Sequence, residues 1–231
     1  MSPDAAACEV ADLPHPRRHI PPAGPRVWAS QDQILSASSL PGEVSAFEPG
    51  MKQAVFIERD GVLNRACVER NHQVSPLTLA EFRVHKDAAG LLSKLKSVRL
   101  VLIVTTNQPG LSRGYQSRRE LDMMHEQLRR TLPLDDILVC PHDETDHCPC
   151  RKPKPGLLVE AAFKFQLDLD RSYVVSNKWQ DSEAARTAGC TSLMIQSQWI
   201  KSGHHDFLIA DLEAAVEKIL HLQSSPRALA V

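Results

Sequence analysis

From about residue 52 onward, short apolar runs alternate with stretches of helical periodicity, and this alternation restricts the chain to few folds. A strand-like run followed by a helix-like stretch occurs five times. Such alternation is typical of βα units around a parallel sheet. The predicted strands are 54–57, 100–104, 137–139, 173–175 and 192–195, and the predicted helices are 87–97, 117–131, 157–165, 181–188 and 211–222. Ser117 and Glu120 have the capping-box spacing, which predicts that Ser117 caps its helix and Glu120 reaches back.

The first 50 residues differ in composition from the rest of the chain. They contain eight of the 16 prolines, and repeated proline disfavours long helices and central strands. We therefore predict a mostly irregular or disordered leader at 1–50, a folded domain at 51–222 and a flexible tail at 223–231. Trp28 and the Ile34-Leu35 pair offer an alternative, in which part of the leader docks on the domain.

Charge and hydropathy exclude several classes of protein. The 27 Lys and Arg residues nearly balance the 28 Asp and Glu residues, giving a net charge of −1, which argues against a nucleic-acid partner. The longest apolar run, residues 100–104, is far shorter than the ~20 residues that cross a bilayer. The N-terminus has no secretory pattern. We expect a cytoplasmic protein without a membrane or nucleic-acid partner, and a monomer.

Polar and charged side chains follow each of the first four predicted strands. In parallel sheets the active crevice lies at the carboxyl ends of the strands. Carboxylates, hydroxyls, amides and lysine that converge there suit a phosphate group together with a hard divalent cation. The residues are Glu58 and Asp60 after the first strand, Thr106 and Asn107 after the second, Arg151, Lys152 and Lys154 after the third, and Asn177, Lys178 and Asp181 after the fourth.

Three cysteines and a histidine are clustered within eleven residues. Cys140, His142, Cys148 and Cys150 supply three thiolates and an imidazole, which suit a closed tetrahedral zinc site. His147 is an alternative to His142, and ordinary free thiols are an alternative to a metal site. Because prolines make the loop irregular, metal bonds would supply folding energy that the loop lacks. The zinc would be structural and would position Arg151 and Lys152.

Four sequence motifs occur in the order of a known family. Residues 58–64 read Glu-Arg-Asp-Gly-Val-Leu-Asn where that family has Asp-Arg-Asp-Gly-Thr-Leu-Asn, and residues 106–114 match its second motif. Residues 140–142 and 148–156 match its zinc loop and phosphate lysine, and residues 176–178 with Asp181 match its Gly-Asp-Lys and later Asp. On these motifs, residues 52–220 resemble the haloacid dehalogenase (HAD) superfamily, most closely its heptose-bisphosphate and histidinol-phosphate phosphatases.

The resemblance implies a fold, a ligand and a reaction. The fold would be a three-layer α/β sandwich with a central parallel sheet, no large cap domain and a zinc-stabilised loop, with residues 65–80 beside the entrance. The substrate would be a phosphorylated sugar. Glu58 would attack phosphorus to form an acyl-phosphate, and Asp60 would donate a proton and later activate water.

The same resemblance assigns the remaining site residues. Thr106, Asn107 and Lys152 would hold the phosphoryl oxygens. Arg113, Arg151 and Lys178 would be further substrate contacts, and magnesium would be bound by Glu58, by Asp60 through its backbone carbonyl, by Asn177 and by Asp181.

Two positions depart from the family pattern. Glu58 replaces the nucleophilic aspartate, and its extra methylene moves the carboxylate by roughly 1 Å or more, a displacement that can cost about 100-fold in rate. Asn177 replaces a magnesium-binding aspartate and lacks its charge. Two hypotheses follow, an active sugar-phosphate phosphatase and a weakened or inactive relative that binds a phosphorylated ligand or a partner. A third is a zinc-stabilised interaction module whose leader docks a partner.

Overall fold

The computed structural model describes residues 51–69, 71–198 and 203–224. The predicted leader, with Trp28 and Ile34, lies outside the described residues, as do residues 225–231 of the predicted tail. The strands are β1 (Ala54–Ile57), β2 (Cys67–Glu69), β3 (His72–Val74), β4 (Val101–Asn107), β5 (Asp136–Cys140), β6 (Tyr173–Ser176), β7 (Thr191–Ile195) and β8 (Phe207–Ile209). The α-helices are α1 (Ala88–Ser97), α2 (Arg118–Thr131), α3 (Gly156–Phe165), α4 (Trp179–Ala188) and α5 (Leu212–Ser224).

Six strands form one parallel sheet in the order β5-β4-β1-β6-β7-β8. β1 lies inside the sheet, with Ile57 beside Val104 of β4 and Val175 of β6. After β1, the strands β4 and β5 are added on one side of it, and β6, β7 and β8 are then added on the other side. The ends of β4 and β6 therefore flank the end of β1. Ligands of open α/β sheets bind at such a switch point.

Helices cover both faces of the sheet, which confirms the predicted three-layer α/β sandwich. Along β1, Val55 and Ile57 pack in one buried cluster with α1, α2 and α5, whereas Ala54 and Phe56 pack in a second cluster with α3 and α4. Side chains alternate between the faces of a strand, and all four are fully buried. Burial of each large apolar side chain contributes about 1.5–3 kcal/mol.

Several boundaries differ from the predictions. β4 continues through Thr105, Thr106 and Asn107, because these polar residues still pair with β5. The antiparallel β2–β3 hairpin and the edge strand β8 were not predicted. Ser117 caps α2 through the Glu120 N–H, but the predicted return contact is wrong, since the Glu120 carboxylate accepts a hydrogen bond from the Leu79 N–H at 2.7 Å.

The five α-helices of the described residues are all short. None of them combines the length and the apolar character that a membrane crossing would require.

Candidate active site

Three neighbouring strands bring the predicted polar side chains to one edge of the sheet. Glu58 and Asp60 follow β1, Thr106 lies at the end of β4, and Lys178 follows β6. Lys152, from the loop between β5 and α3, reaches the same place. The predicted convergence of acids, hydroxyl and lysines is therefore present in the structure.

The Glu58 carboxylate is surrounded by donors. One oxygen accepts from Lys178 Nζ at 3.1 Å, from the Asp60 N–H at 3.2 Å and from Thr106 Oγ1 at 3.3 Å, and the other contacts Lys152 Nζ. Burial opposes ionisation of Glu58, but the charges of the two lysines outweigh burial and hold its pKa below the usual value. We call these four donors the anion cradle, because together they stabilise a buried negative charge.

The Asp60 carboxylate has no free oxygen. Arg59 donates to both oxygens at 2.8 and 3.0 Å, and Ser75 and Gln108 donate to the second at 2.7 and 3.0 Å. Burial opposes ionisation, but the Arg59 guanidinium keeps the pKa of Asp60 well below its usual range. Asp60 is thus held as a carboxylate, the form that accepts a proton rather than donating one.

A buried arginine and histidine that sequence reasoning missed support Asp60. Arg59 is fully buried, lies 5.5 Å from the centroid of the Phe82 ring and contacts His125 Nε2 at 3.1 Å. Burial and the charge of Arg59 lower the pKa of His125 to about 3. His125 is therefore neutral near pH 7 and can accept the Arg59 hydrogen bond. Position 125 lies on the buried face of α2, which helical periodicity can indicate, but no local pattern indicates this partner.

Lys152 lies between two acids. Its Nζ contacts Glu58, donates to Asp181 Oδ1 at 2.5 Å and donates to the Thr105 carbonyl at 2.9 Å. Burial disfavours the charged amine, but the two carboxylates outweigh it and raise the pKa of Lys152. Burial, together with the charge of Glu58, raises the pKa of Asp181.

The Asn107 side chain holds the backbone next to this lysine. Its Nδ2 donates to the Lys152 carbonyl and its Oδ1 accepts from the Lys152 N–H, both at 3.2 Å. The geometry therefore makes Asn107 a positioning group for Lys152, and the contact with phosphate that the resemblance implies stays a prediction.

A cavity of about 380 Å³ opens beside Glu58 and Lys152. Arg113 and Arg151 line it, together with Gln73 and Ser75 from the β3 side, as expected for residues 65–80. Arg113 is paired with Asp143, and this hydrogen bond lowers the pKa of Asp143 to about 2. Arg151 donates to the His142 carbonyl at 3.1 Å. Both cations therefore lie at the rim and are tied to the cysteine-rich loop.

The four predicted zinc ligands come together in that loop. Their ligand atoms all lie within 4.8 Å of one another, with Cys140 Sγ 3.7 Å from Cys148 Sγ and Cys148 Sγ 3.5 Å from Cys150 Sγ. A tetrahedral zinc–thiolate site separates its sulfurs by about 3.8 Å. His142, not His147, belongs to this group, the one metal-binding cluster among the residues that the structure describes. The donor set fits a structural zinc ion.

The proposed magnesium ligands fit an ion less well. The Asn177 Oδ1 and Asp181 Oδ2 atoms are buried without a hydrogen-bond partner, which would suit a cation. However, the Asp60 carbonyl already accepts from Gln73 Nε2 at 2.6 Å, and Glu58 is neutralised by two lysines. Magnesium needs anionic oxygens in near-octahedral geometry. This arrangement does not provide them, so the residues present do not fit a magnesium ion.

Comparisons with known proteins place this arrangement among related folds. A family model described as HAD-hydrolase-like matches residues 149–216. The D-glycero-beta-D-manno-heptose-1,7-bisphosphate 7-phosphatase of Helicobacter pylori (strain J99) is 29% identical over 174 residues, which cover 72% of this chain and 97% of that protein. A probable D-glycero-D-manno-heptose-1,7-bisphosphate 7-phosphatase of Thermoplasma volcanium is 34% identical over 140 residues, covering 58% of this chain and 92% of that protein.

A comparison with solved structures leads to the same group of phosphatases. The D,D-heptose 1,7-bisphosphate phosphatase of B. bronchiseptica, complexed with magnesium and phosphate, has a TM-score of 0.63 and 25% identity, and the match covers 74% of this chain and 99% of that one. The sheet order, the acids after β1 and these matches define a class of protein, the HAD-like hydrolases. Within that class, the chain belongs to the phosphatase family that includes the D-glycero-D-manno-heptose-1,7-bisphosphate 7-phosphatases. The resemblance predicted from the motifs is confirmed.

Proposed function

We propose that the protein binds a phosphorylated sugar of the heptose-bisphosphate kind at this site, and that it is a much slower phosphatase than relatives with aspartate at position 58. The carrying observation is the anion cradle, Thr106, Lys152, Lys178 and the Asp60 N–H, which already stabilises a buried carboxylate. A phosphoryl group presents the same kind of acceptor oxygens to these donors. The names of the relatives support a sugar phosphate as the ligand.

The same cradle explains why hydrolysis would be slow. Both Glu58 oxygens are bound to lysines, so a nucleophilic lone pair becomes free only when Lys152 and Lys178 turn to the phosphoryl oxygens. The extra methylene also displaces the carboxylate from the position that an aspartate would take, at a cost of about 100-fold. Asp60 is held ionised by Arg59, so it is a poor proton donor to the leaving oxygen.

A second candidate, hydrolysis through Glu58, is favoured by the ionised state of this carboxylate at the end of β1. A Glu58 oxygen would bond to phosphorus while the bond between phosphorus and the sugar oxygen breaks. The sugar oxygen would take a proton from water, since Asp60 is held ionised. A water molecule would then split the acyl-phosphate and release phosphate, with the Asp60 carboxylate accepting its proton. Lys152 and Lys178 would stabilise the phosphoryl oxygens during both steps.

The rim and the zinc loop would set access rather than chemistry. Arg113 and Arg151 line the cavity and would attract an anionic ligand. A zinc ion bound by the three thiolates and His142 would fix the loop that ends in Lys152. The domain at 51–222 is proposed as the unit that carries this function.

One experiment separates the two candidates. Phosphate release from a panel of sugar phosphates, including heptose 1,7-bisphosphate, is measured beside the ligand-induced rise in melting temperature. The wild-type chain should be stabilised by ligand with release near background, and Glu58→Asp should release phosphate about 100-fold faster. Glu126→Asp, the same change at an exposed position of α2, is the control.

Each other outcome is informative. Wild-type release as fast as that of Glu58→Asp, with a phosphorylated Glu58 trapped by rapid quenching, would support the second candidate against the first. If no sugar phosphate stabilised the protein and none released phosphate, both candidates would be overturned.

A further inference from the structure

The β2–β3 hairpin places a glutamine in the wall of the pocket. Gln73, in β3, donates from Nε2 to the Asp60 carbonyl at 2.6 Å, and its Oε1 accepts from Asn177 Nδ2 at 3.1 Å. Asn177 Nδ2 also contacts the Gly61 carbonyl at 3.5 Å. The approach is close, because a β-carbon at Gly61, which has φ +83°, would meet both amides. Gln73 therefore connects the segment after β1 with the segment after β6.

The contacts of Gln73 coincide with two of the expected magnesium ligands. The resemblance assigns the ion to the carbonyl of the second acid and to position 177. A bound magnesium lies about 2.0–2.1 Å from its oxygens, and a backbone carbonyl oxygen offers two lone pairs. Gln73 Nε2 already occupies one lone pair of the Asp60 carbonyl at 2.6 Å, so an ion there would have to share this oxygen with the amide or displace it.

The hydrogen-bonding groups of Asn177 are complementary to those of Gln73. An asparagine can turn a donor to Gln73 Oε1 and to the Gly61 carbonyl, both of which are acceptors. An aspartate there would place acceptor against acceptor. Gln73 and Asn177 are thus complementary, and Asn177 is explained as the partner of Gln73 rather than as an isolated loss of charge.

The charges of the pocket also balance without a divalent cation. The carboxylates Glu58 and Asp181 surround Lys152, and Lys178 adds a second positive charge. Asp60 is paired with Arg59. In this structure Lys152 and Lys178 therefore neutralise the Glu58 carboxylate.

We propose that Gln73, paired with Asn177, takes the place of the catalytic divalent cation, so that the pocket binds phosphate groups without magnesium. The part of this inference that concerns phosphate rests on the proposed function. The part that concerns the metal stands on the Gln73 contacts alone.

Binding of Mn²⁺ to the full chain, followed by electron paramagnetic resonance, tests the metal. The wild-type chain should bind Mn²⁺ with a dissociation constant above roughly 1 mM. The double variant Gln73→Ala with Asn177→Asp should lower this dissociation constant at least about tenfold. Each single variant completes a double-mutant cycle, in which Asn177→Asp alone should gain less than in the Gln73→Ala background. Gln127→Ala, on α2 and away from this cavity, is the control.

Tight Mn²⁺ binding by the wild-type chain would overturn the inference, as would single variants whose effects simply add. The melting temperature with inorganic phosphate, with and without magnesium chloride, tests the ligand. The rise should be the same in both buffers, and a rise that requires magnesium would also refute the inference. No rise in either buffer, with Mn²⁺ still unbound, would overturn the proposed function and leave the replacement of the metal supported.

Discussion

Replacing Lys152 by methionine should destabilise the protein strongly at about pH 8 and much less at about pH 5. The Lys152 side chain is 3% exposed and pairs with two carboxylates that are each 1% exposed. Methionine keeps most of the volume and removes the charge, so Glu58 and Asp181 remain as neighbouring buried acids. Removing one partner of a buried ion pair typically costs about 3–5 kcal/mol, and we expect this loss where both acids are ionised.

The sign of the pH dependence follows from the proton balance. Without Lys152, the folded-state pKa of one acid rises above its value of about 4 in the unfolded chain. Between these two values the folded state binds a proton that the unfolded state does not, so stability increases as the pH falls, by up to about 1.4 kcal/mol per pH unit. The loss should therefore be roughly 2 kcal/mol smaller at about pH 5 than at about pH 8.

Urea unfolding followed by circular dichroism gives the free energies of unfolding at both pH values. Lys164→Met, which removes an exposed lysine paired with Asp136, is the matched control and should cost less than about 1 kcal/mol at either pH. An equal loss for Lys152→Met at both pH values would refute the reasoning, because it would show that the two acids do not depend on this cation.

Three further predictions concern support of the pocket and the core. His125 stays neutral next to Arg59, because its pKa is about 3 in the folded protein against about 6.5 in the unfolded chain. The free energy of unfolding should therefore fall by about 2 kcal/mol between about pH 7.5 and 5. His125→Gln should remove that part of the fall in urea titrations, and an unchanged pH dependence of the free energy of unfolding would contradict the prediction. Metal analysis should find one zinc per chain, and Cys148→Ser should lose it and several kcal/mol of stability, whereas equal melting curves would count against a structural metal. Leu92→Ala, at a fully buried position of α1, should cost about 2–5 kcal/mol by thermal unfolding, while Leu208→Ala, half-exposed in β8, should cost less than about 1 kcal/mol.

The central part of the sheet could be predicted because strands β1 and β6 are buried on both faces. The runs that became β1 and β6 are continuously apolar, so the sequence located them to within one residue. β4 continues beyond its apolar part because β5 offers hydrogen-bond partners to Asn107, which no local pattern reveals. β2, β3 and β8 each have three residues, too few for a period to be recognised.

The sequence predicted only some of the residues of the candidate site. Residues that directly follow a strand, such as Glu58 and Lys178, could be placed at the edge of the sheet from strand direction alone. Gln73 and His125 could not, because their partners are chosen by the packing of a hairpin and a helix against that edge. The contacts of Asn107 with the backbone of Lys152 could not be predicted either, since proximity in a motif does not determine which atom a side chain contacts.

The wide separation of the pocket residues along the chain has a consequence for proteolysis. Glu58 and Lys178 are 120 positions apart, yet their side chains touch, and strand β6 must lie beside β1 for that contact to exist. An opening that detaches β6 would therefore remove the ligand affinity proposed for this site. A ligand bound here protects the intact domain, and the degree of protection from a protease at increasing ligand concentration reports its affinity without any turnover.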